Sequence, residues 1–462
     1  MKPQNHKRSS KNRDRLSEMP DEVIVHILSY LPIVDAVRTM LIRPFGNLWT
    51  LVPTLDFDLE EVLAELVPAD CYWTTDDVRR SFIFVRNVLM LHKRPFIDKF
   101  RLDLYYESSK IRRSELGDEI RMCLKLALDK QARAIYFDEV GNQYFSESSD
   151  YPNFISESLV TLKLTHFIIY PELQVDLRSL KELTLDYVTM TEEEFQKFIS
   201  GCPSLQVLHI NSPSHIRNLS FSAPNIRKLF LRFEEDYPDE EPLVLDFPNL
   251  KSLDLDLFYG IPDIIHMDVS CVRDVSVSFC QLWDSDNELR RFKLFWEKLS
   301  QSEVFRLQLN PASEDFLHLL DDLHLLQIGW KHVVLSLRII CQRCVLGFYQ
   351  LIRSSKDLEE LDIHTDTTLT PSSVCDTPNL FSGELLYPCV MPKLRTVTLH
   401  GYAKPWEHQL QLVEFLLKSA TVLQKLVIVP NKCRLTAEEK LDFVMRVSSF
   451  QRSSPSARVL FL

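Results

Sequence analysis

Apolar residues recur along this chain in one spacing: an apolar position, two variable ones, a second apolar position, one variable, a third apolar position. It is clearest at Leu159, Leu162, Leu164, then at Leu180, Leu183, Leu185, then Leu205, Leu208, Ile210. It returns at Ile226, Leu229, Leu231, at Leu250, Leu253, Leu255 and at Val272, Val275, Val277. The starting positions lie 21, 25, 21, 24 and 22 residues apart, within the period of roughly 20 to 29 residues that marks leucine-rich repeats. Weaker copies begin at Ile97 and Ala132, and after the clear run at Val304 (with Leu307, Leu309), Leu358, Leu394 and Leu423. The repeat is therefore expected from Ile97 to Ile428.

Alternation about one variable residue is the period of a strand with one buried face. One such strand cannot close a core alone. Stacked copies share a core and leave the intervening residues on an open face. Those residues are Lys163, Thr184, His209, Phe230, Asp254, Ser276 and Gln308, a mixed set that suits protein recognition better than a single charged ligand. The returns are expected to be helical, as where Thr191 and Glu194 form a capping box ahead of Phe195, Phe198 and Ile199, with Gly201 and Pro203 closing the turn. The predicted fold class is α/β, a leucine-rich-repeat solenoid of parallel strands with helical returns. Phe167, Val188 and Cys280 stand where regular repeats carry Asn, so the solenoid should be irregular.

From residue 14 to 60 the period changes. Pro20 precedes a predicted helix in which Val23, Ile24, Ile27, Leu28 and Leu31 recur at helical spacing; Pro32 ends it, and a second helix is expected from Asp35. The apolar surface is too small to close a core. Either a partner covers it, or it caps the first repeat.

Composition adds constraints. With 45% hydrophobic and 26% charged residues the chain has ordinary globular balance. No apolar run reaches the roughly 18 residues of a membrane span; the greasiest segment, residues 81 to 91, is broken by Arg86 and Asn87. Residues 1 to 13 carry five cations and no acid, which leaves −17 on the rest against −12 for the whole chain. They read as a basic tail without the apolar core of a secretory signal. The acidic remainder argues against nucleic-acid partners. The run from Glu234 to Glu241 reads as a solvated loop. Ten scattered cysteines point to packed thiols in the cytoplasm or nucleus, and the lone Cys341, Cys344 pair lacks the second pair of a zinc site.

Catalytic signatures are missing. The nine glycines never come closer than 18 residues, so neither a P-loop nor a dinucleotide fingerprint can be assembled. There is no His-Glu-x-x-His helix and no Gly-x-Ser-x-Gly elbow. Asp321 and Asp322 between His318 and His324 read as a polar helix face, and Phe292, Phe295, Trp296 and Leu299 as core. No enzyme, cofactor or metal is expected.

The N-terminal residues carry a resemblance. Asp14-Arg-Leu-Ser-Glu-Met-Pro-Asp-Glu-Val23, His26-Ile-Leu-Ser-Tyr-Leu-Pro32 and Asp35-Ala-Val-Arg-Thr39 are similar to an F-box of the plant F-box, FBD and leucine-rich-repeat family, as are Phe45 to Trp49 and Leu55 to Asp58. Ser200 to Leu205 and Ser222 to Asn225 resemble that family's repeat junctions. Residues 393 to 428, with His400-Gly401-Tyr402 and Leu412 to Lys418, resemble the FBD module, as does Ser453 to Ala457.

After the basic, disordered tail expected at 1–13, the resemblance implies an F-box at 14–60, repeats at 61–379 and an FBD module at 380–462 that continues the solenoid. It implies a substrate-recognition subunit of an SCF-type cullin-RING ubiquitin ligase, with a Skp-type adaptor and a target protein as partners. The adaptor-facing residues would be Met19, Pro20, Ile27, Leu28, Leu31, Val37, Leu48 and Trp49. Where the family usually shows a Ser-x-Leu-Ser-Lys-Arg-Trp-like stretch, this chain has Met40-Leu-Ile-Arg-Pro-Phe45, one residue shorter. A proline inside a helix costs about 3 kcal/mol and a glycine up to about 1. The third F-box helix is therefore not expected intact, docking should be weaker than an intact motif gives, and Phe45 would stand in for the missing aromatic. An interaction scaffold without ligase docking is the alternative.

Overall fold

The computed structural model describes residues 18–42, 45–67, 73–104, 116–138, 153–211, 225–233, 243–259, 264–268, 271–281, 286–309, 328–337, 351–365, 390–402, 406–430 and 435–462. The chain forms two compact units. The first comprises Met1–Met190 with Lys197–Ser204; the second comprises Thr191–Gln196 with Leu205–Leu462.

The first unit opens with two short helices, α1 (Asp21–Leu28) and α2 (Ile33–Arg38). A parallel sheet follows: β1 (Thr54–Asp58), β2 (Lys99–Asp103), β3 (Ala134–Asp138), β5 (Thr161–Thr165) and β7 (Glu182–Asp186), each paired with the next in that order. One side of every strand is closed: Leu55 and Phe57, Phe100 and Leu102, Ile135 and Phe137, Leu162 and Leu164, Leu183 and Leu185 are all buried. Burying one such side chain stabilises the fold by about 2 kcal/mol.

Helices α3 (Leu59–Leu66), α4 (Thr75–Leu91) and α5 (Gly117–Asp129) form the first returns. Val78, Phe82, Val85 and Leu89 of α4 point inward at helical spacing, and a Thr74/Asp77 capping box starts the helix. The later returns of this unit are extended: β4 (Phe154–Ile155) pairs with β6 (Val175–Asp176). Phe154 packs on Phe167 and Phe198 with ring centroids 5.9 and 6.1 Å apart. Helix α6 (Glu192–Ser200) begins on the expected Thr191/Glu194 box, with Thr191 N–H donating to Glu194 Oε2 at 2.7 Å.

Among the described residues of the second unit ten strands follow one another in parallel. They are β8 (Val207–Asn211), β9 (Lys228–Phe233), β11 (Ser252–Tyr259), β13 (Asp274–Gln281), β14 (Val304–Leu309), β15 (His332–Leu337), β16 (Glu360–Thr365), β17 (Thr396–Tyr402), β18 (Lys425–Pro430) and β19 (Arg458–Phe461). β10 (Leu243–Asp246) and β12 (Ile264–Asp268) pair as extended returns; α7 (Asp286–Leu299), α8 (Glu407–Ser419) and α9 (Ala437–Ser448) are helical ones. Phe295, Trp296 and Leu299 are core, as expected. Trp296 meets Trp330 edge-on at 5.4 Å, and Phe305 stacks on Trp330 at 4.0 Å.

Several expectations need correction. The ladder starts at Thr54, on the Val52, Leu55, Phe57 spacing, ahead of the expected Ile97. A rung at β15 on Trp330, Val333, Leu335 and a last rung at β19 were not foreseen. The returns are helical only in part: Leu-Val-Leu and Val-Asp segments extend and pair instead. Helix α1 ends at Leu28, ahead of Pro32, where the Tyr30 and Leu31 N–H groups close tighter turns onto the Ile27 and Leu28 carbonyls. Helix α2 starts at Ile33, two residues before Asp35, with Pro32 as its N-cap. The basic tail, the Glu234 to Glu241 run, the Cys341/Cys344 pair and the His318, Asp321, Asp322, His324 group lie outside the described residues, and no side-chain position is described for Phe292.

Candidate functional site

Helix α1 divides the apolar residues of its sequence between two sides. Ile24 and Leu28, one turn apart, are 1% exposed. Val23 and Ile27, also one turn apart, are 43% and 38% exposed, and Met19, Tyr30 and Leu31 at the helix ends are exposed as well. The inward side packs against the turn of Leu48–Leu51. That turn buries Trp49, whose indole N–H finds no acceptor.

Of the eight expected docking residues, Met19, Pro20, Ile27 and Leu31 are exposed, Val37 and Leu48 are half-buried, and Leu28 and Trp49 are inside. The last two hold the motif together and offer a partner no surface. Missed by the sequence reading were Val23 and Tyr30, and the exposed Met40, Leu41 and Ile42 after α2. Helical spacing contained Val23 all along, but a stripe of five apolar residues does not say which side faces in.

Helix α2 touches β1, and Arg38 pairs with Glu65 of α3 and with Asp35. Arg38 holds the Glu65 carboxyl below the usual range. Helix α2 is thus tied to the first rung, while Val23 and Ile27 on the outer side of α1 are exposed. After α2 the described residues hold two 3-10 turns, Thr39–Leu41 and Leu48–Leu51, and no further α-helix before β1. Gly46 adopts φ 46°, a left-handed conformation that interrupts a right-handed helix. Phe45 is half-buried; Arg43 and Pro44 lie outside the described residues.

The ladder presents the intervening residues in rows. In the first unit Lys163 stands beside Thr184, and its ammonium reaches Asp186 Oδ2 at 2.8 Å. In the second unit His209, Phe230, Asp254 and Ser276 fall in one row, with the His209 and Phe230 rings stacked at 4.0 Å. Burial pushes the Asp254 carboxyl up.

Gln308 is not in that row. Ser276 is level with Arg306, and Gln308 with Ser278. The repeat here begins at Ser302, buried with its hydroxyl on the Leu299 carbonyl, so the apolar spacing read from Val304 was two residues late. A slip of two preserves the in-and-out alternation, and periodicity cannot detect it.

Beyond Arg306 the face carries groups that the expected open-face set did not include. His332 bonds Asp362 at 2.9 Å; the carboxylate raises the imidazole, which in turn lowers the carboxyl. His364 and His400 stack at 4.3 Å, and burial pushes His364 down.

Nothing here assembles a reactive centre among the described residues. No three His, Cys, Asp or Glu side chains are placed to hold a metal ion. Burial pushes the Cys123 and Cys202 thiols up to about 12, far from thiolate reactivity. No described helix is long and apolar enough to cross a membrane.

Three family models match along the chain: the F-box domain at residues 16–42, the LRR repeats of the FBD-associated F-box protein At5g56370 at 131–273, and FBD at 386–428. The chain thus carries an F-box, LRR repeats and an FBD in that order, and over nearly its whole length it is similar to F-box/FBD/LRR-repeat proteins. It is 23% identical to the F-box/FBD/LRR-repeat protein At3g26920 of Arabidopsis thaliana, with 98% of both chains covered. It is 24% identical to At4g26340 and 24% to At5g56420, proteins of the same description from the same plant; 97% of this chain is covered in both cases, with 100% and 99% of the relatives. The F-box model ends at residue 42, before the ladder begins at Thr54. The FBD model covers β17, α8 and most of β18, whose strands pair in parallel as further rungs of the second unit.

Proposed function

We propose that this F-box/FBD/LRR-repeat chain is the target-recognition subunit of an SCF-type ubiquitin ligase. F-box domains generally bind Skp-type adaptors, and leucine-rich repeats bind protein targets. The observation that carries the reading is the uncovered apolar side of α1, Met19, Val23, Ile27 and Leu31, fixed from behind by Ile24, Leu28 and Trp49. Exposed apolar residues held rigid on a short helix are what a partner groove takes up. The adaptor would bring a cullin, and the open row of the ladder would hold the protein to be ubiquitinated and degraded. The chain would work in the cytoplasm, the nucleus or both.

Docking would be weaker than an intact motif provides, because only 3-10 turns follow α2 among the described residues. The same observation favours a second reading, a repeat scaffold that has lost ligase docking. Co-expression of the full chain with a Skp-type adaptor and a cullin decides between them. Capture on the chain should retain both partners; recovery of the chain with a bound target protein and without adaptor would overturn the ligase reading.

A further inference from the structure

In the second unit the residue ahead of each strand stacks in a column of its own. The Lys251 N–H donates to the Arg227 carbonyl at 2.8 Å, Arg273 to Lys251 at 2.9 Å, Glu303 to Arg273 at 2.9 Å and Lys331 to Glu303 at 2.8 Å. Neighbouring strands are about 4.8 Å apart, so Arg227, Lys251 and Arg273 set three cations along about 10 Å of rim. Lys228 stands beside the first, and all four residues are exposed.

Two carboxylates of adjoining positions are already engaged. Asp274 pairs with Arg306, and Glu303, next in the column, pairs with Lys331 at 3.2 Å. Among the described residues no ion pair or side-chain hydrogen bond holds Arg227, Lys228, Lys251 or Arg273, whereas Arg232 on the same strand is bound to Asp256 at 3.2 Å. The chain carries −12 overall, so uncompensated cations at successive rungs run against its average. At physiological salt the Debye length is about 8 Å, which confines the repulsion of distant carboxylates and lets the column dominate at the rim.

We propose that this column binds an acidic stretch of a partner polypeptide. An extended segment places alternate side chains about 6.7 Å apart. Two or three carboxylates on one side of it therefore cover the length of the column, within reach of flexible arginine and lysine side chains. Guanidinium forks suit carboxylates in particular. This binding does not depend on adaptor docking.

The test is fluorescence anisotropy of a labelled oligo-aspartate peptide titrated with the full chain. Binding should occur, weaken as salt is added and be absent for a neutral peptide. The reversal R227E/K251E/R273E should lose about tenfold or more in affinity, while K125E/R353E/K425E, the same change in net charge at scattered exposed positions, should stay within about twofold. Lys251→Gln, too mild to disturb folding, should weaken binding in the same direction. No binding by the natural chain, equal losses in the two triple variants, or unaltered binding after column reversal would overturn the proposal. So would an oligonucleotide that binds as tightly and is lost on the same reversal, since the ligand would then be a nucleic acid.

Discussion

Ile27 and Leu28 are neighbours in sequence with opposite roles: Ile27 is 38% exposed on the outer side of α1, and Leu28 is closed against the chain at 1%. Leu28→Ala should cost about 2 to 5 kcal/mol, as a buried leucine deletion does, and Ile27→Ala should stay within about 0.5 kcal/mol; thermal melts check both. Two histidines should respond to pH in opposite directions. His92 is buried with Nε2 on the Val52 carbonyl at 2.9 Å and Nδ1 unpartnered, and burial lowers its pKa. Its folded value lies below that of the unfolded chain, so stability is lost as pH falls below about 6.5. His332 is raised by Asp362, so its contribution is complete below about 6.5 and fades as pH rises through the folded value. Acidification from neutral pH should therefore lower the melting point of the natural chain less after His92→Phe, and more after His332→Gln. At this scale the sequence showed which residues are apolar. It could not show which side of α1 they face, nor that Ser302 fills an aliphatic position.

The strands were legible because alternation is local and period-2. Their returns were not, since a stretch of about 20 residues with one apolar run closes equally well as a helix or as an extended pair. β4, β6, β10 and β12 took the second course. The third F-box element was legible through Pro44 and Gly46, whose backbone limits can be read from residue type alone. At β17 the ladder carries a bulge between His400 and Tyr402 that places Gly401 at φ 82°. A Cβ there would come within 2.1 Å of the Thr365 carbonyl oxygen, and Thr365 Oγ1 donates to the Gly401 carbonyl at 2.8 Å. Gly401→Ala should destabilise the chain by about 1 to 3 kcal/mol through left-handed strain and clash. Thr365→Val, which removes only the hydroxyl clamp, should cost about 1 kcal/mol. Urea unfolding curves that place both variants level with the natural chain would contradict this account of the FBD rungs.

Over the whole chain, the repeat period and the order F-box, repeats, FBD are legible in the sequence, and the family models fall in that order. The first compact unit holds the F-box helices together with the rungs through β7, so the motif is braced by Arg38 and Glu65 against its own repeats. A partition at residue 60 cuts through that bracing: charge pairs across sequence leave no periodic trace. The central claim is that the repeats serve recognition while the outer side of α1 docks the chain to an adaptor. Titration of the full chain against an immobilised Skp-type adaptor, natural sequence beside Ile27→Asp, tests it most directly. Saturable binding should fall about a hundredfold or more when a charge enters the apolar contact, with the melting temperature unchanged. Equal affinity for both proteins, or no binding by the natural chain, would contradict it.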